Sequence, residues 1–274
     1  MRDLLAITDR YKNWGHSLRY AGELAALLDA RLTGMFIVEP IMPYSPSPLP
    51  VVKADMYSTG AETARAAEAA GPEFEKFIAS TRARHGRWLV GRGSFAASVA
   101  QAANWHDLLV VGSATNSAWG SAGTLGQLLL TCDLPCIVVP ESSTRKATLD
   151  TIAIAWNGSS ECVRAMHAAL PLIKRARQVL LLAGAQKEIF SEVTISPPFS
   201  LEEHLRQHGI GFSTTAFEAT AANAGAALLR AAEDAQADLL IMGAYGRTRL
   251  SEWVLGGATR HMLQHTSLPV LMRH

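Results

Sequence analysis

Residues 238–269 read D-L-L-I-M-G-A-Y-G-R-T-R-L-S-E-W-V-L-G-G-A-T-R-H-M-L-Q-H-T-S-L-P. The apolar run Leu239 to Met242 has the length of a buried parallel strand. It ends on Gly243; Gly246 follows, then nine residues later the pair Gly256-Gly257, then Ala258 and Thr259. Met262 and Leu263 continue with helical spacing. Strand, glycine loop and helix start in this order form a cradle for phosphate. Glycines let the backbone approach closely, and a helix N-terminus favours negative charge.

The spacing Gly243-x2-Gly246-x9-Gly256, followed by Gly257, Ala258 and Thr259, resembles the nucleotide-binding signature of the universal stress protein family. Gly257 stands where that family usually has Ser or Thr. The run through Arg260, with the terminal L-P-V-L-M-R-H, is similar to a bacterial branch of tandem, two-domain members.

Outward from this stretch the chain repeats itself. Asp238-Leu-Leu-Ile-Met-Gly answers Asp107-Leu-Leu-Val-Val-Gly, and Leu268-Pro-Val-Leu answers Leu134-Pro-Cys-Ile. Asp150-Thr-Ile-Ala-Ile-Ala answers Asp3-Leu-Leu-Ala-Ile-Thr, and His208-Gly209 answers His85-Gly86, each read as the stop of a helix. Apolar strand-like runs alternate with amphipathic segments such as Ser17 to Leu28 and Ser160 to Leu172. That alternation predicts an α/β protein with parallel sheets and helices on both faces. Residues 41–50, I-M-P-Y-S-P-S-P-L-P, read as a Pro-rich loop. The polar stretch after Pro140 reads as a linker, which sets the expected domains at 1–141 and 149–274. The family resemblance implies two tandem doubly wound domains, each a five-stranded parallel sheet of order 3-2-1-4-5. It also implies that the two fifth strands pair, making the chain an intramolecular pseudo-dimer; a homodimer of whole chains stays open.

Bulk properties exclude more than they assign. Of 274 residues, 49% are hydrophobic and 18% charged, enough for well-buried cores. A net charge of +1 gives no reason to expect a nucleic-acid partner or an acidic membrane surface. No apolar run reaches membrane-spanning length, and Met1-Arg-Asp-Leu-Leu enters a strand without a signal-peptide layout. The expectation is a cytoplasmic protein. Cys132, Cys136 and Cys162 are too few for a disulfide framework and read as buried thiols. His204/His208 and His261/His265 stand four apart but lack the Glu of a zinc-protease helix, so no metal site is expected.

In open parallel sheets a ligand sits beyond the carboxyl ends of the strands, where their order reverses. In the second copy that point gathers Ala155, Trp156 and Asn157 after its first strand, then Met242, Gly243 and Gly246, then Gly256, Gly257, Ala258 and Thr259. The resemblance implies that Ala155 and Asn157 lie near base and sugar. The glycine backbone and Thr259 would meet ribose and phosphates. Relatives that bind ATP carry Asp where this chain has Asn157. The implied ligand is ATP or a related adenine nucleotide, with or without Mg, and the implied role is a stress regulator acting through conformation or an unidentified protein partner. A slow ATP hydrolase or nucleotidyl enzyme and a non-nucleotide scaffold remain the alternatives. G-x-x-x-x-G-K-[ST] is absent, and no catalytic residue can be named. In the first copy three residues fewer separate Gly112 from Pro135 than Gly243 from Pro269, and Thr115 replaces the second glycine. A degenerate site is expected there.

Overall fold

The computed structural model describes residues 1–39, 50–114, 117, 119–183, 200–217, 219–220, 223–245 and 257–274, with the side chains of 50–58 left undescribed. The first half runs β1 (Asp3–Thr8), α1 (His16–Leu28), β2 (Arg31–Val38), α2 (Pro50–Glu68), α3 (Gly71–Ser80), β3 (His85–Arg92), α4 (Phe95–Ala103), β4 (Leu108–Ser113), α5 (Ala122–Thr131) and β5 (Cys136–Pro140). The second runs β6 (Thr151–Trp156), α6 (Ser160–Ile173), β7 (Gln178–Ala183), α7 (Leu201–Gln207), β8 (Ser213–Ala216), α8 (Ala224–Asp234), β9 (Leu239–Gly243), α9 (Gly257–His265) and β10 (Val270–Arg273).

The ten strands among the described residues lie in one sheet, ordered β3-β2-β1-β4-β5-β10-β9-β6-β7-β8. Each half has the order 3-2-1-4-5, with parallel pairing inside it. The halves meet where β5 and β10 pair antiparallel, Leu271 opposite Ile137. Central strands such as β1 and β9 are buried on both faces, which is why their sequences are nearly unbroken apolar runs.

Two hydrophobic cores cover the faces of the sheet, and each crosses from one half into the other. One holds residues of α1, α3, α6 and α7, with Tyr20, Phe74, Met166 and Leu205. The other holds residues of α4, α5, α8 and α9, with Leu125, Leu228 and Met262. Asp107 and Asp238 do equivalent work at the base of the sheet. Asp107 Oδ2 accepts the N–H groups of Arg2 and Asp3, and Asp238 Oδ2 accepts that of Thr151. Each acid thereby fixes the start of its half's first strand.

Two local expectations need correction. Helix α2 starts at Pro50, inside the span read as loop; proline suits a first helical turn, where its missing N–H has no intrahelical partner anyway. His85-Gly86 does not stop a helix. The left-handed turn falls on Arg82 (φ 67°), and Gly86 lies within β3, paired with Leu32 and so close to α3 that a Cβ there would come 3.0 Å from Ile78 carbons. Its counterpart Gly209 (φ 69°) does follow a helix, α7.

Candidate functional site

The sheet order reverses twice, once between β1 and β4 and once between β6 and β9. Of the residues put forward from the sequence, the described ones on β6 and β9 lie at the second reversal. Ala155 and Met242 belong to the core on the α8/α9 face, whereas Trp156 packs against the core on the α6/α7 face. Gly243 ends β9 against the first turn of α6. A Cβ there would stand 2.6 Å from the Cys162 backbone nitrogen and 2.7 Å from Glu161, so only glycine lets strand and helix meet this closely. Gly246 and Gly256 lie outside the described residues, as do Arg247, Arg249 and Trp253.

Asn157 shapes the turn into α6. Its Oδ1 accepts from the Ser159 N–H (3.0 Å) and the Cys162 thiol (3.0 Å). Gly158 supplies the left-handed residue (φ 75°), and Ser159 caps the helix by accepting the Cys162 N–H at 3.3 Å. With the oxygen engaged, the Asn157 amide offers a ligand its two Nδ2 donors, which no aspartate could supply. The first turn of α6 also carries Glu161, buried and paired with Arg164 at 3.2 Å. Burial pushes this carboxyl up. That push is outweighed by its own backbone N–H, Ser160 and the Arg164 guanidinium, so its pKa falls below the usual carboxylate value. A carboxylate therefore already sits at the positive end of α6.

Helix α9 differs. Its first turn has no acidic residue, and a side chain added at Gly257 would meet nothing within 4 Å among the described residues. Thr259 is buried, and its Oγ1 accepts the Tyr245 N–H at 3.4 Å, tying the loop after β9 to the helix start. Tyr245 holds a left-handed backbone (φ 54°). Its hydroxyl is buried without a hydrogen-bond partner among the described residues, and burial pushes its pKa up to about 12. A buried hydroxyl without a partner is costly and calls for an explanation. Neither Tyr245 nor Glu161 stands out in the sequence. Tyr245 is one of the two free positions in Gly-x2-Gly, and Glu161 reads as an ordinary first-turn acid.

The first reversal is built otherwise. Glu141, just past β5, sends Oε2 to the N–H of His16 and Oε1 to that of Ser17, each at 3.1 Å. The carboxylate thus occupies the N-terminus of α1, where a phosphate would bind. Gly112 and Gly15 face it: a Cβ on either would come within 3.0 Å of a Glu141 oxygen. Trp119 stacks on Phe95 (5.2 Å) above the same crevice. The hollow left among Thr8, Asp9, Ser17, Trp119 and Glu141 measures about 30 Å³, room for water and not for a nucleotide.

His167, His204 and His208 gather on α6 and α7, with ring centroids 4.9 and 4.6 Å apart. Among the described residues, no group of three or more His, Cys, Asp or Glu side chains is arranged to hold a metal ion. All three cysteines are free thiols; Cys132 is half-buried, the other two buried. No described helix is long and apolar enough to cross a membrane.

Comparison with known proteins agrees with this architecture. The profile of the universal stress protein family matches residues 148–274. A universal stress protein of Synechocystis sp. is 27% identical over 169 residues, which cover 60% of this chain and 57% of that protein, so the chain spans little more than half of that relative. The structure of a universal stress protein from Archaeoglobus fulgidus superposes with a TM-score of 0.71 at 17% identity, covering 99% of this chain and 95% of that one. A functionally unknown protein of Pseudomonas aeruginosa gives a TM-score of 0.57 at 13% identity, covering 100% and 92%. At such identities the structural likeness speaks for the fold.

Proposed function

We propose that this chain, whose C-terminal half (residues 148–274) matches the universal stress protein family, binds ATP or a related adenine nucleotide in that half and acts as a cytoplasmic stress regulator rather than through turnover. The observation that carries the reading is the start of α9. It is free of acids, open at Gly257 among the described residues, and tied to the loop after β9 by the Tyr245 N–H on Thr259. The phosphates would take the N–H groups of Gly257, Ala258 and Thr259, which have no partner within the helix. Gly246 and Gly256 would complete the loop. Asn157 would donate its Nδ2 hydrogens to base or ribose, with Ala155, Trp156, Met242 and Gly243 forming the strand ends beneath. Any Mg would arrive with the phosphates. The domains at 1–141 and 149–274 divide the labour: the first keeps its crevice closed on Glu141. Nucleotide shifts conformation or partner choice only as far as it binds one state better than the other.

Thermal unfolding with and without ATP tests this. A ligand bound by the folded protein alone raises the melting temperature, and the rise grows with the logarithm of ligand concentration. Gly257→Arg fills the open helix start and should abolish the rise, while Gly123→Arg in the first half should leave it intact. Tyr245→Phe should shrink it without lowering the melting temperature of the ATP-free protein, because the hydroxyl loses no partner there. Absence of any shift with ATP, ADP or AMP would refute the reading.

A further inference from the structure

A second candidate site lies far from the α9 helix start, on the outermost strands of the first half. Along β3 the side chains alternate: Gly86 and Trp88 pack toward α3, where Phe74 and Ile78 lie, while Arg87, Leu89 and Gly91 face the other way. On that side α4 is too short to roof the sheet edge. Two adjoining hollows of about 380 and 320 Å³ remain, and both are walled by Arg87, Trp105 and His106. Each is the size of a small-molecule pocket. Met35, Leu89 and Ala102 give an apolar floor. His106 is held at both ring nitrogens, by the Ala102 carbonyl at 2.7 Å and the Thr33 hydroxyl at 2.9 Å, so that wall is fixed.

The charges decide what fits. Arg31 is paired with Asp3 and Arg92 with Glu68, both at 2.7 Å. Arg87 has no hydrogen-bond or ion-pair partner among the described residues, leaving one uncompensated guanidinium over an apolar floor. Beside it stands Trp105, 81% exposed on the turn between α4 and β4. A lone exposed indole is ordinary. An indole sharing a hollow with an unpaired guanidinium supplies a stacking face and a carboxylate fork together. The second half has no such pair. By strand register Arg87 corresponds to Ser213, since Thr33 pairs with Arg87 as Leu180 does with Ser213; Trp105, two residues before Asp107, corresponds to Gln236. We propose that the hollow on β2 and β3 binds a flat aromatic monocarboxylate, its ring against the Trp105 indole and its carboxylate on Arg87.

Titration calorimetry of the full chain with 2-naphthoate tests it. Saturable binding at sub-millimolar concentration is expected. Arg87→Ala and Trp105→Ala should each weaken it about tenfold or more, the scale of losing a charge-assisted hydrogen bond or a stacking face. Both residues are exposed, so circular dichroism and melting temperature should match those of the parent. Neutral 2-naphthalenemethanol should bind about tenfold more weakly than the acid, and Gly257→Arg should leave 2-naphthoate binding unchanged, separating this site from the nucleotide site. No saturable binding, equal binding of acid and alcohol, or binding indifferent to both substitutions would overturn the proposal.

Discussion

Glu141 takes one N–H of α1 on each carboxylate oxygen, and Glu161 sits in the first turn of α6 beside Arg164. Both halves therefore satisfy the helix after their first strand with an internal anion, by different routes. Glu141→Ala should destabilise the protein by about 1–2 kcal/mol, the range for losing a cap on a helix start. Urea unfolding measures it, and Glu141→Gln should recover part of the loss, since an amide oxygen still accepts one N–H. A change of less than a few tenths of a kcal/mol would mean water replaces the carboxylate at no cost. Little of this was legible beforehand, because Glu141 and its two donors are more than a hundred residues apart and only the folded sheet brings them together. Sequence alone places Gly243 at a strand end and Thr259 at a helix start, but the contacts they make, with the first turn of α6 and with the Tyr245 N–H, exist only in the folded chain.

At the scale of elements, sequence reading succeeded where apolar periodicity was strong and failed where burial was slight. The central strands announce themselves. Strand β8, Ser-Thr-Thr-Ala, is exposed along its whole length and has no apolar pattern to find. The contact between α6 and α7 was likewise hidden, since His167 joins His204 and His208 only in space. Burial, then the neighbouring imidazoles of His167 and His208, hold the His204 pKa below its ordinary value. A histidine depressed in the folded state gives stability that is full above its unfolded pKa and declines as pH falls through that value toward the folded one. Between about pH 7 and pH 5 the α6–α7 contact should thus weaken. His261, depressed by burial and by His265, adds the same sign on α9. The depressed carboxyls of Asp107 and Glu161 lose their contribution only at lower pH, in the carboxylate range. Melting temperatures at pH 7.5 and 5.5 check the histidine window, and His204→Gln should flatten the difference. An unchanged slope in that variant would place the dependence elsewhere.

Across the whole molecule, the joint between β5 and β10 makes one sheet of two halves, and the cores on both faces run through it. The connecting segment is stitched down as well. The Ala147 N–H donates to Glu23 Oε2 at 2.9 Å, the Thr148 hydroxyl to Asp238 Oδ1 at 2.7 Å, and Arg145 to the Ala237 carbonyl at 3.0 Å. Leu271 is fully buried at the joint. Leu271→Ala should cost about 2–5 kcal/mol and speed amide exchange in β4 and β5 as well as in β9 and β10. Protection lost from the second half alone would show that the halves unfold independently.

That joint also frees the two halves from each other's history. A dimer of identical chains must carry every substitution twice, once on each side of its axis. Here one codon changes one side only. A glutamate from beyond β5 can close the helix start in one half while the other half uses an acid of its own helix, and an arginine and a tryptophan can furnish one end of the sheet with no echo at the other.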